Sequence, residues 1–149
     1  MITENFIKQC EKADEIQKLC YYKKGDWFYT KKHRNDVTNG LYIISGDWDL
    51  CYANSNREDN WLTRAKGVWL PTQEQLQEML NAYSNYERIN RFYEFVHLDT
   101  SEYGWNKWCE FVNDSSMNEL WLCYVMKKLY NKIWTGEKWK EVVNQCQQP

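Results

Sequence analysis

The sequence predicts one α+β domain in which a small, mostly antiparallel sheet, roughly residues 27–70, is covered by an N-terminal helix and several C-terminal helices. Three observations support this fold class. Short runs of strand-favouring residues, separated by turn signals, fill the first half of the chain. After residue 70 the apolar residues recur every three to four positions, as they do in helices. No Pro/Gly-rich linker divides the 149 residues, so residues 1–149 are expected to form a single domain.

The first predicted element is an amphipathic helix over residues 2–20. Its apolar side chains recur at nearly helical spacing. They are Ile2, Phe6, Cys10, Ala13, Ile16 and Cys20. A turn signal at Gly25 and Asp26 then separates this helix from the predicted sheet.

Four short strands are predicted in the sheet region. They cover residues 27–30, 41–45, 48–52 and 67–70. Each is rich in aromatic or aliphatic residues that favour strands and is bounded by turn or loop residues. The Asn39-Gly40 pair is a hairpin signal, but about ten residues separate the first two strands, so the tip of this loop is expected to protrude.

Helices are predicted for the rest of the chain, and two of them begin with a capping box. Thr72 and Gln75 form the first T-x-x-Q box, and Ser116 and Glu119 form the second box. Behind the second box, residues 120–126 are apolar all round, which predicts the central core helix. Two further helices are expected at 86–96 and 105–112, and a turn is expected between Trp134 and Trp139.

Aromatic residues supply much of the expected core, because the chain contains nine Trp and eleven Tyr. Each such side chain can bury roughly 150–250 Å² of surface. Two tryptophans stand where complete burial is less expected: Trp61 in a polar segment and Trp105 beside Gly104. Partly exposed tryptophans are good interface anchors, so both are candidate binding residues.

The sequence offers little support for catalysis, metals or cofactors. His33 and His97 lack paired ligand spacing, and the chain contains neither C-x-x-C nor a glycine-rich phosphate loop. We therefore expect a non-enzymatic protein with no catalytic residue, metal or cofactor. The six cysteines lack the setting of a disulfide scaffold and are expected to be reduced and structural.

The charge balance predicts no general attraction to nucleic acid or membranes. The 19 basic and 21 acidic residues leave a net charge of −2. No stretch resembles a signal peptide or reaches the length of a membrane span, so a cytoplasmic protein without membrane association is expected.

One segment is both basic and aromatic. Its cations are Lys23, Lys24, Lys31, Lys32 and Arg34. Together with nearby aromatic residues such as Trp27, they could contact phosphates and stack bases of a single-stranded nucleic acid. The alternative is that the strand aromatics face the core and the cations solvate a protruding loop.

Four segments carry a resemblance to known proteins. They are EIQKL at 15–19, GDW at 25–27, WLPTQEQLQEML at 69–80 and MNELWLCYVMKKLYNKIWTGEKW at 117–139. The chain resembles a group of small uncharacterised proteins encoded by phages and prophages of low-GC Gram-positive bacteria. The resemblance implies an accessory protein that binds host or phage macromolecules.

Three functional hypotheses follow from the sequence. The leading one is a phage-type accessory protein that acts by binding another protein. The second is single-stranded nucleic-acid binding through the basic and aromatic segment at 21–34. The third is a small-molecule binder or enzyme with an aromatic-lined pocket.

Overall fold

The computed structural model describes residues 2–21, 23–30, 40–44, 50–52, 67–81, 84–98 and 105–142. The helices in these stretches are α1 (Glu4–Glu11), α2 (Asp14–Gln17), α3 (Gln73–Glu78), α4 (Asn85–Leu98), α5 (Trp105–Asp114) and α6 (Met117–Tyr130). The strands are β1 (Trp27–Thr30), β2 (Gly40–Ile44), β3 (Leu50–Tyr52), β4 (Gly67–Leu70), β5 (Lys132–Trp134) and β6 (Trp139–Glu141). The predicted α+β class is confirmed.

The first four strands form an antiparallel sheet in the order β3-β2-β1-β4. Phe28 in β1 lies opposite Trp69 in β4, and both side chains are buried. Directly opposed residues share a face of a sheet, so this aromatic pair anchors β4 to the core. The predicted small antiparallel sheet is confirmed, with β4 at one edge.

The N-terminal region contains two helices where the sequence predicted one. Lys12 N donates to the carbonyl of Gln9 at 3.3 Å and Ala13 N donates to that of Cys10 at 3.1 Å, which ends α1, and α2 begins at Asp14. Ala13 between the helices is fully buried, as is Ile16 in α2. The apolar pattern therefore continues across the break, because both helices turn an apolar side towards the same core.

Both predicted capping boxes are present. At the start of α3, Gln75 N donates to Thr72 Oγ1 at 3.3 Å, and Thr72 N donates to Gln75 Oε1 at 2.8 Å. At the start of α6, Ser116 N donates to Glu119 Oε2 at 2.6 Å, and Glu119 N donates to Ser116 Oγ at 3.4 Å. These bonds satisfy backbone groups that a helix start leaves without intrahelical partners.

The predicted central helix is buried from residue 119 to residue 126. Phe92 of α4 stacks on Trp121 of α6 with 3.9 Å between ring centroids. Phe95 meets Trp108 of α5 edge-on at 5.2 Å, and the indole of Trp108 donates to the carbonyl of Val96 at 2.8 Å. The three helices are therefore joined by an aromatic cluster, as the composition predicted.

The predicted turn between Trp134 and Trp139 is the tip of a hairpin formed by β5 and β6. The two tryptophans face each other with 5.1 Å between ring centroids. The indole of Trp139 also donates to the carbonyl of Gln9 at 3.0 Å, which joins the hairpin to α1. The strands themselves were missed, because three-residue strands are too short to show a clear alternation.

Candidate functional site

The residues predicted to bind a partner are only partly described. Lys23 and Lys24 are exposed in the turn before β1. Trp105 begins α5, but its side chain lies outside the described residues. Four other predicted binding residues also lie outside them, and these are Lys31, Lys32, Arg34 and Trp61. The hypotheses that rest on these residues remain predictions.

The turn that carries Lys23 is held by a buried carboxylate. Asp26 accepts hydrogen bonds from the backbone amide of Lys23 at 2.7 Å and from Gln75 Nε2 at 2.6 Å. The backbone of Gly25 has a positive φ of 92°, a conformation that glycine adopts without steric penalty. Asp26 therefore joins this turn to α3, which gives the carboxylate a structural role.

A hollow of about 270 Å³ lies beside this turn. We call it the Trp69 hollow, and its lining includes Leu19, Tyr21, Lys23, Trp69 and Met79. The side chain of Tyr21 is 77% exposed, whereas Trp69 is buried and its indole N–H has no hydrogen-bond acceptor among the described residues. An apolar wall with a few polar groups is typical of small-ligand sites.

The outward face of α4 carries large apolar side chains. Tyr86 is 76% exposed, Ile89 is 62% exposed and Tyr93 is 59% exposed. They stand three and then four positions apart, so they share one face of the helix. We call these three residues the α4 stripe. The ring of His97, one turn further on, lies 4.1 Å from that of Tyr93 and extends the face.

The same helix also has a core face, which explains why its sequence is so apolar. Phe95 is buried, and Phe92 and Val96 pack against the core. With about 100° of rotation per residue, Phe92 and Phe95 lie about 100–180° around the helix from Tyr86 and Tyr93, whereas Val96 lies between the two sets, beside Ile89. The sequence analysis predicted a helix at 86–96 but did not distinguish which of its apolar residues face outwards. On a helical wheel the core-facing residues and the α4 stripe together span about 180°, wider than the arc of about 100° that a helix needs to face a core.

Two buried cysteines, Cys10 and Cys123, are poor candidates for nucleophilic catalysis. Burial raises the pKa of the Cys10 and Cys123 thiols well above the ordinary value, and the nearby Glu119 carboxylate adds to this rise. Both thiols are therefore protonated near neutral pH, whereas a reactive cysteine requires the thiolate.

Two further findings concern metals and membranes. No group of three His, Cys, Asp or Glu side chains within the described stretches is placed to hold a metal ion. Among the helices given above, none has the length and apolar character needed to cross a membrane.

Comparisons of the chain with protein-family models, curated proteins and solved structures gave no match. The functional inference therefore rests on the residues and their arrangement.

Proposed function

We propose that this protein is a non-enzymatic binding protein that docks an amphipathic helix of a partner protein along the α4 stripe. The observation that carries the proposal is the exposure of Tyr86, Ile89 and Tyr93 on one helix face. A phage- or prophage-type accessory role, which the resemblance of the sequence implies, agrees with a protein that acts through such a contact.

Exposed apolar side chains are common, but a row of three large ones is more informative than scattered single residues. Full burial of a large apolar side chain stabilises a structure by about 1.5–3 kcal/mol. Tyrosine is also enriched among the residues that dominate binding energies. The α4 stripe combines these properties, so contact with an apolar partner surface would remove a large unfavourable area from water.

The spacing of the stripe favours a helix as the partner. Residues 86, 89 and 93 stand three and four positions apart, as the a, d and next a positions of a heptad do. Such positions form a narrow seam about 10 Å long, given a rise of about 1.5 Å per residue. A partner helix with the same spacing of apolar residues would pack along this seam.

Photocrosslinking tests where the partner binds. A photoreactive phenylalanine analogue replaces Tyr93 in one variant and Lys140, an exposed residue of β6, in a control. Both variants are irradiated in a lysate of a low-GC Gram-positive bacterium, and crosslinked peptides are identified by mass spectrometry. We expect the variant with the analogue at position 93 to crosslink to an amphipathic helical segment, and the variant with the analogue at position 140 not to crosslink to that segment. Crosslinks that are the same from both positions contradict it.

Binding of the purified pair then measures the contribution of the stripe. Replacing Tyr86 with Ser, Ile89 with Asn and Tyr93 with Ser is expected to weaken binding by about 100-fold. Met117→Ser removes another half-exposed apolar side chain, outside the stripe, and is expected to change the affinity by less than about twofold. Equal affinity of the wild type and the triple variant would refute the proposal. Light scattering shows whether the occupant is instead a second copy of the chain, which would also contradict it.

Single-stranded nucleic-acid binding remains a second candidate, and one observation favours it. Tyr21 is largely exposed close to the exposed Lys23 and Lys24, so an aromatic face and two cations are open to a ligand. Bases stack on such rings while cations contact the phosphates. An oligonucleotide titration at low salt tests this candidate, with Tyr21→Ala expected to reduce affinity. A titration without any signal for the wild type excludes it.

A further inference from the structure

A second hollow, of about 240 Å³, lies between the end of α3, the first half of α4 and the C-terminal half of α6. Three of the side chains that line it are cations: Arg88, Arg91 and Lys128. The other described lining residues include Asn81, Tyr124 and Leu129, and no described lining residue is a carboxylate. We call this the cationic hollow.

The positive charges of the hollow are only partly matched by protein groups. Arg91 forms an ion pair with Glu87, one turn earlier on α4. Arg88 Nη1 donates to Asn85 Oδ1 at 3.3 Å, but its Nε is buried without a hydrogen-bond partner in the described structure. A buried donor that lacks an acceptor is unfavourable, so an acceptor that reaches this nitrogen from the hollow would be stabilised.

The third cation, Lys128, lies over an aromatic ring. Lys128 Nζ lies 5.9 Å from the ring centroid of Tyr124, which is a cation–π distance. Tyr124 itself is buried and lines the hollow; burial is the main cause of the raised pKa of its hydroxyl, and the exposed Glu94, which is not part of the lining, adds to it. Arg91 is paired with Glu87, whereas Arg88 and Lys128 form no ion pair with a carboxylate in the described part of the chain.

We propose that the cationic hollow binds the phosphate group of a small phosphomonoester. A monoester phosphate carries close to two negative charges near neutral pH and three acceptor oxygens, which match two unmatched cations and an unsatisfied guanidinium donor. Guanidinium groups suit such oxyanions, because their planar fork can donate two parallel hydrogen bonds. Leu80 and Leu129 add an apolar wall for the organic part of the ligand.

This site is separate from the α4 stripe. Arg88 and Arg91 stand two and five positions after Tyr86, so they lie on a different side of the helix from the stripe. Phosphate binding therefore does not depend on the proposed partner helix, and the two proposals can succeed or fail independently.

Calorimetric titrations at equal ionic strength and about pH 8, where monoesters are dianions, test the ligand class. The probes are inorganic phosphate, phenyl phosphate, dimethyl phosphate and acetate. The two dianions are expected to bind at least about tenfold more tightly than the two monoanions, because a second charge faces the cations. Equal affinities for phosphate and acetate, or the absence of phosphate binding, would overturn the proposal.

Variants of the lining test the location. Arg88→Gln and Lys128→Met are each expected to weaken the binding of phenyl phosphate by about tenfold. Lys127→Met is the matched control, because it removes the same charge from the preceding residue of α6, which does not line the hollow. It is expected to change the affinity by less than about twofold.

Equal losses from Lys127→Met and Lys128→Met would show that only the general positive field attracts phosphate, and the proposed site would be wrong. Lys128 is exposed, so its replacement is expected to leave the fold intact, as circular dichroism would verify. The comparison of the two lysine variants therefore decides the question even if Arg88→Gln does not fold.

Discussion

The side-chain amide of Gln17 hydrogen-bonds to both backbone groups of Trp69. Trp69 N donates to Gln17 Oε1 at 2.8 Å, and Gln17 Nε2 donates to the carbonyl of Trp69 at 3.0 Å. β4 is the edge of the sheet that the described strands form, so within that sheet these groups have no neighbouring strand to pair with. Gln17 takes the place of that strand, and its Nε2 also donates to the carbonyl of Cys10 at the end of α1.

Replacing Gln17 with Ala is expected to lower the free energy of unfolding by about 2–4 kcal/mol, because two backbone groups of a buried residue lose their partners. Gln17→Glu is expected to be at least as harmful, since its carboxylate cannot donate to the carbonyl of Trp69. Urea denaturation measures both effects. Lys18→Ala, at the exposed neighbouring position, serves as the control and should shift the free energy by at most about 0.5 kcal/mol. A similarly small effect of Gln17→Ala would contradict the edge-pairing role.

The ion pair between Glu15 and Lys132 connects α2 to β5. The hydrogen bond from Lys132 lowers the pKa of Glu15 below its ordinary value of 4.5, and the same bond raises the pKa of Lys132 above 10.5. The stabilisation from Glu15 is therefore complete above about pH 4.5 and is lost as the pH falls through the lowered pKa. The contribution of Lys132 is lost only as the pH rises above 10.5 and through its raised pKa.

Glu15→Gln is accordingly expected to lower the free energy of unfolding by about 0.5–1 kcal/mol at neutral pH, because the pair is partly exposed to water. The difference from the wild type should shrink as the pH falls below 4.5 and as salt is added. Urea denaturation at several pH values measures it, and Glu110→Gln at an exposed position of α5 provides a control for the loss of one carboxylate. A difference that stays constant with pH would show that the ion pair is not its source.

Local signals in the sequence were sufficient for most of the secondary structure. The strand bounded by Gly67 and the capping box at Thr72 are each encoded within a few consecutive residues, and both appear where they were predicted. The all-apolar run at 120–126 likewise predicted a buried helix, since only a core position tolerates apolar residues on every side.

Relationships between distant residues could not be predicted in this way. The pairing of Gln17 with Trp69 joins positions 52 residues apart, and no local pattern distinguishes this glutamine from the others. The cationic hollow similarly combines Arg88 with Lys128, whose helices meet only in the folded chain. The α4 stripe is different, because the helical spacing of its residues is present in the sequence, but spacing alone does not show which residues stay exposed.

The hairpin tip depends on the backbone conformation of Gly136, whose φ is 92°. An added Cβ would meet no atom within 4 Å, so Gly136→Ala has space but adopts an unfavourable left-handed conformation. It is expected to lower the free energy of unfolding by about 1–2 kcal/mol. Thermal denaturation measures the change, and Glu137→Ala at the next exposed position should have little effect. A neutral Gly136→Ala variant would indicate that the tip readjusts without strain.

The buried thiols of Cys10 and Cys123 are expected to react much more slowly than the half-buried thiols of Cys20 and Cys109. A short pulse of iodoacetamide at about pH 8, followed by digestion and mass spectrometry, measures each site separately. The physical reason is burial, which raises the thiol pKa at positions 10 and 123 and also blocks access. Labelling of all four sites at the same rate would contradict the buried placement.

The same raised pKa values predict a dependence of stability on alkaline pH. In the unfolded chain these thiols ionise near their ordinary pKa of 9.0, whereas the folded protein keeps them protonated to higher pH. The folded state therefore loses stability as the pH rises above 9.0, because the unfolded state then binds fewer protons. Cys123→Ala should reduce the slope of this loss, whatever its effect at neutral pH. If stability falls with pH equally steeply in the wild type and in Cys123→Ala, the Cys123 thiol has the same pKa in the folded and unfolded states, and the prediction is wrong.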